Sequence, residues 1–419
     1  MSSGVGSLFL RFPIFIFLYM EVTFMDKTLL DIALILIFTK TAGIVSKKFK
    51  MPEVLGALLA GVILGPVVFN IVQYDDNIKL LANLGVIMLM FLAGLETNIE
   101  EFKKAGFTSF IIAMTGVIIP LILGIVSAYI FFDNTWQNIF VGVILTATSV
   151  SITVETLTEL GKLNTRAGIN ILGAAVIDDV LGLVLISVVL AMAQTTGTSS
   201  GSLAAISLIT TLSKIILFCL VAIVAIVYLP GILNKHSKVV KPGRELVTFS
   251  IAFAFIIAFI AQRIGIAAIT GAYICGLVLS ATSHKVYIQR NVKVISSGFL
   301  SLIFFASVGI EANLKGLNLQ VLLITLVMFI AAVVGKVVGC AGAARFLKMS
   351  KSEAMQIGVG MVSRGEVAII TANIGLQNHI ISQEIFLPTL MVVILTTVIT
   401  PILLKISFSH KAHEKIDGA

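Results

Sequence analysis

GALLAGVIL, residues 56–64, returns as GAYICGLVL at residues 271–279, and GLETNI at 94–99 returns as GIEANL at 309–314. Both pairs lie 215 residues apart. One such match is weak, because helices that pack through small residues resemble one another by chance. Two matches, in the same order and at one offset, indicate an internal repeat. The fold then depends on what the chain does between the two copies.

Composition places that chain in lipid. Of 419 residues, 58% are apolar without counting glycine, 12% are charged, and the mean hydropathy is +1.09. Soluble domains hold roughly 45–50% apolar residues with glycine included, and they need a far more polar surface to stay dispersed. Apolar runs long enough to cross a bilayer fall at 27–45, 53–71, 79–97, 106–132, 136–159, 166–193, 203–230, 243–262, 266–282, 292–311, 317–344, 352–376 and 385–404. One repeat, from the second run to the ninth, is a step of seven runs. Seven is odd, so the copies cross in opposite directions, which is the inverted-topology repeat of many secondary transporters. The expected fold is an all-α polytopic membrane protein of about thirteen transmembrane helices.

Residues 1–24 stand apart from this series. LFLRFPIFIFLYM (8–20) is short and interrupted by Arg11 and Pro13, and it lacks the basic start and cleavage site of a secretory signal. Either translation begins at Met25 or the segment forms an accessory helix. Within the chain, QTTGTSSGS (194–202) reads as a surface turn.

The net charge of +8 does not describe a nucleic-acid surface, because the basic residues are scattered through short loops without interleaved aromatics. Their distribution gives orientation instead. Twenty Lys and Arg follow odd-numbered spans or lie in the tail, and five lie on the opposite face. By the positive-inside rule the C-terminus is expected in the cytoplasm of a cell whose inner membrane holds the chain. Cys219, Cys275 and Cys340 each fall in an apolar run and read as packing residues, with neither a disulfide framework nor a zinc site. No nucleophile–base pair, metal cluster or phosphate loop supports an enzyme, and no cofactor is expected.

Four basic residues remain inside spans: Lys40, Lys214, Lys336 and Arg364. Lys40, like Glu96, sits near a span end, and Lys214 is placed to snorkel or to lie at a seam. The other two join VIDDVLG (176–182), where Asp178 and Asp179 stand in the middle of the sixth span. A charge there costs about 2.5–3.5 kcal/mol even on the lenient insertion scale. Adding the repeat offset to Thr148, in the polar stretch TATSVSIT (146–153), gives Ser363 in MVSRGEVA (361–368). Matching polar interruptions in both halves point to discontinuous helices at a binding site. Thr148, Ser149 and Ser151 can offer oxygens to a cation there, or simply bond back to their own helix. Arg364 and Glu366 are expected to compensate half-helix dipoles or bridge core helices.

Consecutive helical residues diverge by about 100°, so the two aspartates are expected to have different partners. Asp179 reads as a carboxylate for proton and cation, and Asp178 as the partner of Lys336. Burial favours the neutral form of carboxylate and amine alike, while their attraction favours the charged forms. Hard alkali cations seek the same oxygen that a proton does. A carboxylate poised between them exchanges one for the other, which is a minimal antiporter.

TSVSIT, VIDDVLG, FFASVGIEANL, GKVVGC and SRGEVAII, in this order, resemble bacterial monovalent cation:proton antiporters of the second large family, with the NapA-type sodium/proton antiporters closest. The resemblance covers residues 25–408. It implies a homodimer in which a core domain (106–193 and 317–406) moves against a dimerisation scaffold (27–98 and 243–311), with 203–230 as linker and 407–419 as cytoplasmic tail. It further implies that Asp179 binds Na+, with Asp178 and Thr148 as further candidates, that Asp178 pairs with Lys336, and that two protons exchange for one sodium. Potassium-efflux relatives of the Kef type usually differ before the aspartate and often carry a nucleotide-binding domain, so sodium is the expected ion and potassium the alternative. A cation channel or sensor on the same fold is the more distant reading.

Overall fold

A computed structural model describes residues 24–49, 51–195, 201–237, 242–311 and 318–409. Residues 1–23, most of the QTTGTSSGS turn, residues 312–314 of GIEANL and the end of the tail lie outside the described residues. So do the side chains of Cys219 and Glu366.

The described chain is helical. Among the described residues, nine helices are long and apolar enough to cross a membrane: α1 (Phe24–Lys48), α3 (Asp76–Glu96), α4 (Ile99–Tyr129), α7 (Arg166–Thr195), α8 (Gly201–Ser237), α9 (Arg244–Ile264), α11 (Lys285–Ile310), α12 (Leu319–Phe346) and α15 (Gln383–Ser409). Two shorter apolar helices, α2 (Glu53–Leu64) and α10 (Ala268–Leu279), occupy two further expected runs. The fifth and twelfth runs are each split in the middle. One consists of α5 (Thr135–Ile144) and α6 (Val150–Glu159), the other of α13 (Lys351–Gly360) and α14 (Glu366–Gln377). Among the described residues, a helix, whole or split, lies in each of the thirteen expected runs.

Polar residues between the apolar runs start the helices. Asp75, Asn98, Asn134 and Asn318 accept backbone N–H bonds from the first turns of α3, α4, α5 and α12, and Ser350 with Glu353 closes a capping box at α13. Helix α2 ends at Leu64, earlier than the apolar run suggested, because Pro66 removes a donor and the chain folds back through Val72 N–H to the Leu64 carbonyl (3.0 Å). Helix α10 stops at Leu279, where the Ser280 and Thr282 hydroxyls take carbonyls of its last turn.

The repeat is visible in three dimensions. Helices α2 and α10 begin and end 215 residues apart. Gly61 of α2 lies against the backbone of Ala306 in α11, and Gly276 of α10 lies against that of Phe91 in α3. Positions 61 and 276 are one repeat apart, as are 91 and 306. Any Cβ at either glycine would overlap a backbone carbonyl. Each copy therefore crosses the other through the same glycine, and the offset has a steric reason.

Two departures from regular helix were not legible. Helix α11 contains a π turn at Ser296–Leu300, and α12 contains one at Val337–Ala341, immediately after Lys336. Such turns are frequent at functional sites.

Candidate functional site

The two broken crossings meet at their breaks. The backbone N–H of Ser149 donates to the carbonyl of Ser363 at 2.7 Å, and the Thr153 hydroxyl donates to the Gly360 carbonyl at 2.8 Å. Gly365 faces the Ser149 side chain so closely that a Cβ would stand 2.6 Å from its Oγ. This close approach explains why a glycine follows Arg364.

Arg364 is fully buried, and it holds the crossing together. Its guanidinium donates to the carbonyls of Thr146 (3.1 Å) and Ala147 (2.7 Å), just past the end of α5, and to that of Ala332 in α12 (3.2 Å). Its own backbone is fixed by Thr396 and Thr397 of α15. The carbonyl end of a helix carries roughly half a negative charge, so a cation here offsets the charge that breaking the helix exposes. The hydroxyls of Thr148 and Ser363 are also buried at the crossing and make no hydrogen bond. They are one repeat apart, and their oxygens are free to meet a ligand. Ser149 and Ser151 instead face each other, with hydroxyl oxygens 3.2 Å apart.

Beside the crossing runs α7 with its two aspartates. Lys336 Nζ lies 3.0 Å from both carboxylate oxygens of Asp178, with the lysine wholly buried and the aspartate 3% exposed. Asp179 points elsewhere: Thr270 of α10 donates its hydroxyl to Asp179 Oδ2 at 2.9 Å. Both residues of that contact are buried. The structure thus brings together Asp178 with Lys336, and Arg364 with the break around Thr148. Lys40 pairs with Glu53 at 3.5 Å, Glu96 pairs with Lys293 at 3.6 Å, and Lys214 is exposed on α8.

Sequence reasoning missed three residues. Thr270 gave no signal, since a threonine in an apolar helix ordinarily bonds its own carbonyls. Glu155, part-buried in α6, is a charged residue inside a span and was open to notice; it shares its surroundings with Glu159, Glu96 and Lys293. Glu159 lies at the end of α6, and its carboxylate accepts from the backbone N–H of Glu53 and of Val54 (2.9 Å), capping α2 from another crossing. Pro52, in the cap position of α2, has no side chain able to do so.

The profile of the transmembrane sodium/hydrogen exchangers matches residues 33–408. The chain belongs to the sodium/hydrogen exchanger family. This exchanger is 36% identical over 381 residues to the Na+/H+-K+ antiporter GerN of Bacillus cereus, covering 91% of the present chain and 96% of that protein. It is 33% identical over 374 residues to a Na+/H+ antiporter of Enterococcus hirae, covering 89% and 96%. Among solved structures, the sodium proton antiporter MjNhaP1 of Methanocaldococcus jannaschii at pH 8 superposes with a TM-score of 0.64, covering 94% of this chain and all of the other at 19% identity. That likeness establishes the fold. The exchanger is accordingly a multi-pass membrane protein of an antiporter family, which is a transporter class and not an enzyme class.

Proposed function

We propose that the exchanger moves Na+, and also Li+, against protons across the cytoplasmic membrane, with Asp179 as the carboxylate that alternately holds cation and proton. The observation that carries this reading is the division of labour on α7. Asp178 is engaged by Lys336 through both oxygens, whereas Asp179 turns to a different helix and accepts the hydroxyl of Thr270. Thr148 and Ser363 stand at the neighbouring crossing with hydroxyls that can complete an oxygen shell. The Lys336–Asp178 pair adds a second titratable unit. When sodium enters, the pair opens and the lysine gives up its proton, so two protons leave for each sodium and the cycle is electrogenic.

Access alternates by movement of the core, α4–α7 with α12–α15, against the scaffold, α1–α3 with α9–α11. The crossing, its arginine and both aspartates travel as one body, and two scaffolds pair in a homodimer whose C-termini face the cytoplasm. A second reading, exchange of K+ for H+, is favoured by the similarity to GerN, a Na+/H+-K+ antiporter whose name sets potassium beside sodium.

Proteoliposomes carrying an imposed proton gradient test the proposal. Added Na+ or Li+ should dissipate the gradient, and K+ should do so weakly. Dissipation by K+ alone would select the second reading, and dissipation by none of the three would remove both. Asp179→Asn should abolish exchange, and full activity in that variant would overturn the site assignment.

A further inference from the structure

The proposed core movement treats the two aspartates differently. Asp178 is bound by Lys336, and both α7 and α12 belong to the core, so core movement itself does not separate the two residues. Asp179 is bound by Thr270 of α10, which belongs to the scaffold. Movement of the core must break this contact.

The hydroxyl is committed to the carboxylate. Buried threonines elsewhere in the chain, such as Thr39, Thr97 and Thr389, give their proton to the carbonyl four residues earlier in their own helix. Thr270, in the first turn of α10, gives its proton to Asp179 Oδ2 instead, at 2.9 Å, and only 3% of its surface is exposed. A hydrogen bond to an ionised acceptor is roughly twice as strong as one between neutral groups. It is therefore strongest when the Asp179 oxygen is charged and carries no cation. A cation on that oxygen takes the lone pair the hydroxyl uses, and the contact weakens.

We propose that Thr270 is a positioning residue for exchange: its hydroxyl holds the ion-free Asp179 carboxylate against the scaffold, and cation binding displaces it. The contact opposes relocation of an empty carrier, which would dissipate the gradient without exchange, and it releases the core when the carboxyl is loaded. This inference rests on the reading of Asp179 as the ion site.

The test compares Thr270→Val, which keeps the shape and loses the hydroxyl, with Thr270→Ser, which keeps the hydroxyl. Sodium is titrated against the full-length protein in lipid nanodiscs at one alkaline pH, and sodium-dependent exchange is followed in proteoliposomes. Removing a donor that competes with sodium should tighten sodium binding by about threefold to tenfold in Thr270→Val. The apparent KM should fall in step, and Thr270→Ser should resemble the parent. Should the valine variant not fold, Thr270→Ala gives the same comparison. Unchanged affinity would overturn the proposal. Weakened affinity would overturn it too, because the hydroxyl would then be a ligand of the cation. Asp179→Asn, assayed alongside, separates the two failures. If it is inactive while Thr270→Val binds sodium like the parent, only the role of Thr270 falls; if it exchanges normally, the ion-site reading falls with it.

Discussion

Asp178 and Asp179 are neighbours in the chain and bond to helices 66 residues apart, at Lys336 and Thr270. The helix geometry alone required two directions, and the lysine was legible because it was one of four basic residues left within spans. Its burial makes a sharp prediction. Lys336→Gln leaves the Asp178 carboxylate buried without its counter-charge, at a cost of about 3–5 kcal/mol, and the melting temperature of the purified protein should fall accordingly. Asp178→Asn combined with Lys336→Gln removes both charges and should recover most of that stability. On the proposed mechanism the double variant still exchanges ions and loses its response to voltage. Thr270 stayed hidden at this scale because its chemistry depends on which helix lies opposite, and nothing in TGAYICG encodes that neighbour.

At the scale of elements, both helix breaks were legible from the repeat offset linking Thr148 to Ser363, but the role of Arg364 came from the fold. Its guanidinium serves three carbonyls, two in the break after α5 and one on α12. Arg364→Ala should leave them buried without donors, each at about 1–3 kcal/mol, and should prevent accumulation of folded protein. Arg364→Lys keeps the charge with fewer donors and should fold with a lowered melting temperature. The start of α2 makes a milder case. Since Glu159 supplies the cap that Pro52 cannot, Glu159→Ala should cost about 1 kcal/mol. Hydrogen exchange at the first-turn amides of α2 should rise correspondingly. If those amides keep their protection, the cap is dispensable. The early stop of α2 at Leu64 was readable from Gly65–Pro66, whereas the π turn after Lys336 has no local marker in GKVVGC.

For the molecule as a whole, inverted copies crossing through Gly61 and Gly276 supply a symmetric frame, and the charges at the site do not obey its symmetry. The positions one repeat from Asp178 and Lys336 are Val393 and Leu121. An asymmetric charge set on a symmetric frame can couple its cycle to voltage. Exchange of two protons for one sodium moves one net charge, worth about 2.3 kcal/mol per 100 mV. In sodium-loaded proteoliposomes, an inside-negative potassium diffusion potential set with valinomycin should therefore accelerate sodium efflux. Equal rates with and without the potential would establish an electroneutral cycle.

By itself the sequence determined the solvent, the thirteen crossings, the opposed direction of the copies, the two breaks and the acids and bases within them. Each of these follows from hydropathy, loop charge or a repeated spacing, quantities that act along the chain. Only the tertiary structure decided that Thr270 meets Asp179, that Arg364 serves the carbonyls just past the end of α5 and that Glu159 caps α2. Those contacts join residues 91, 217 and 105 positions apart or more. Their partners are selected by how close two helices can approach, and that is set by packing across the whole bundle.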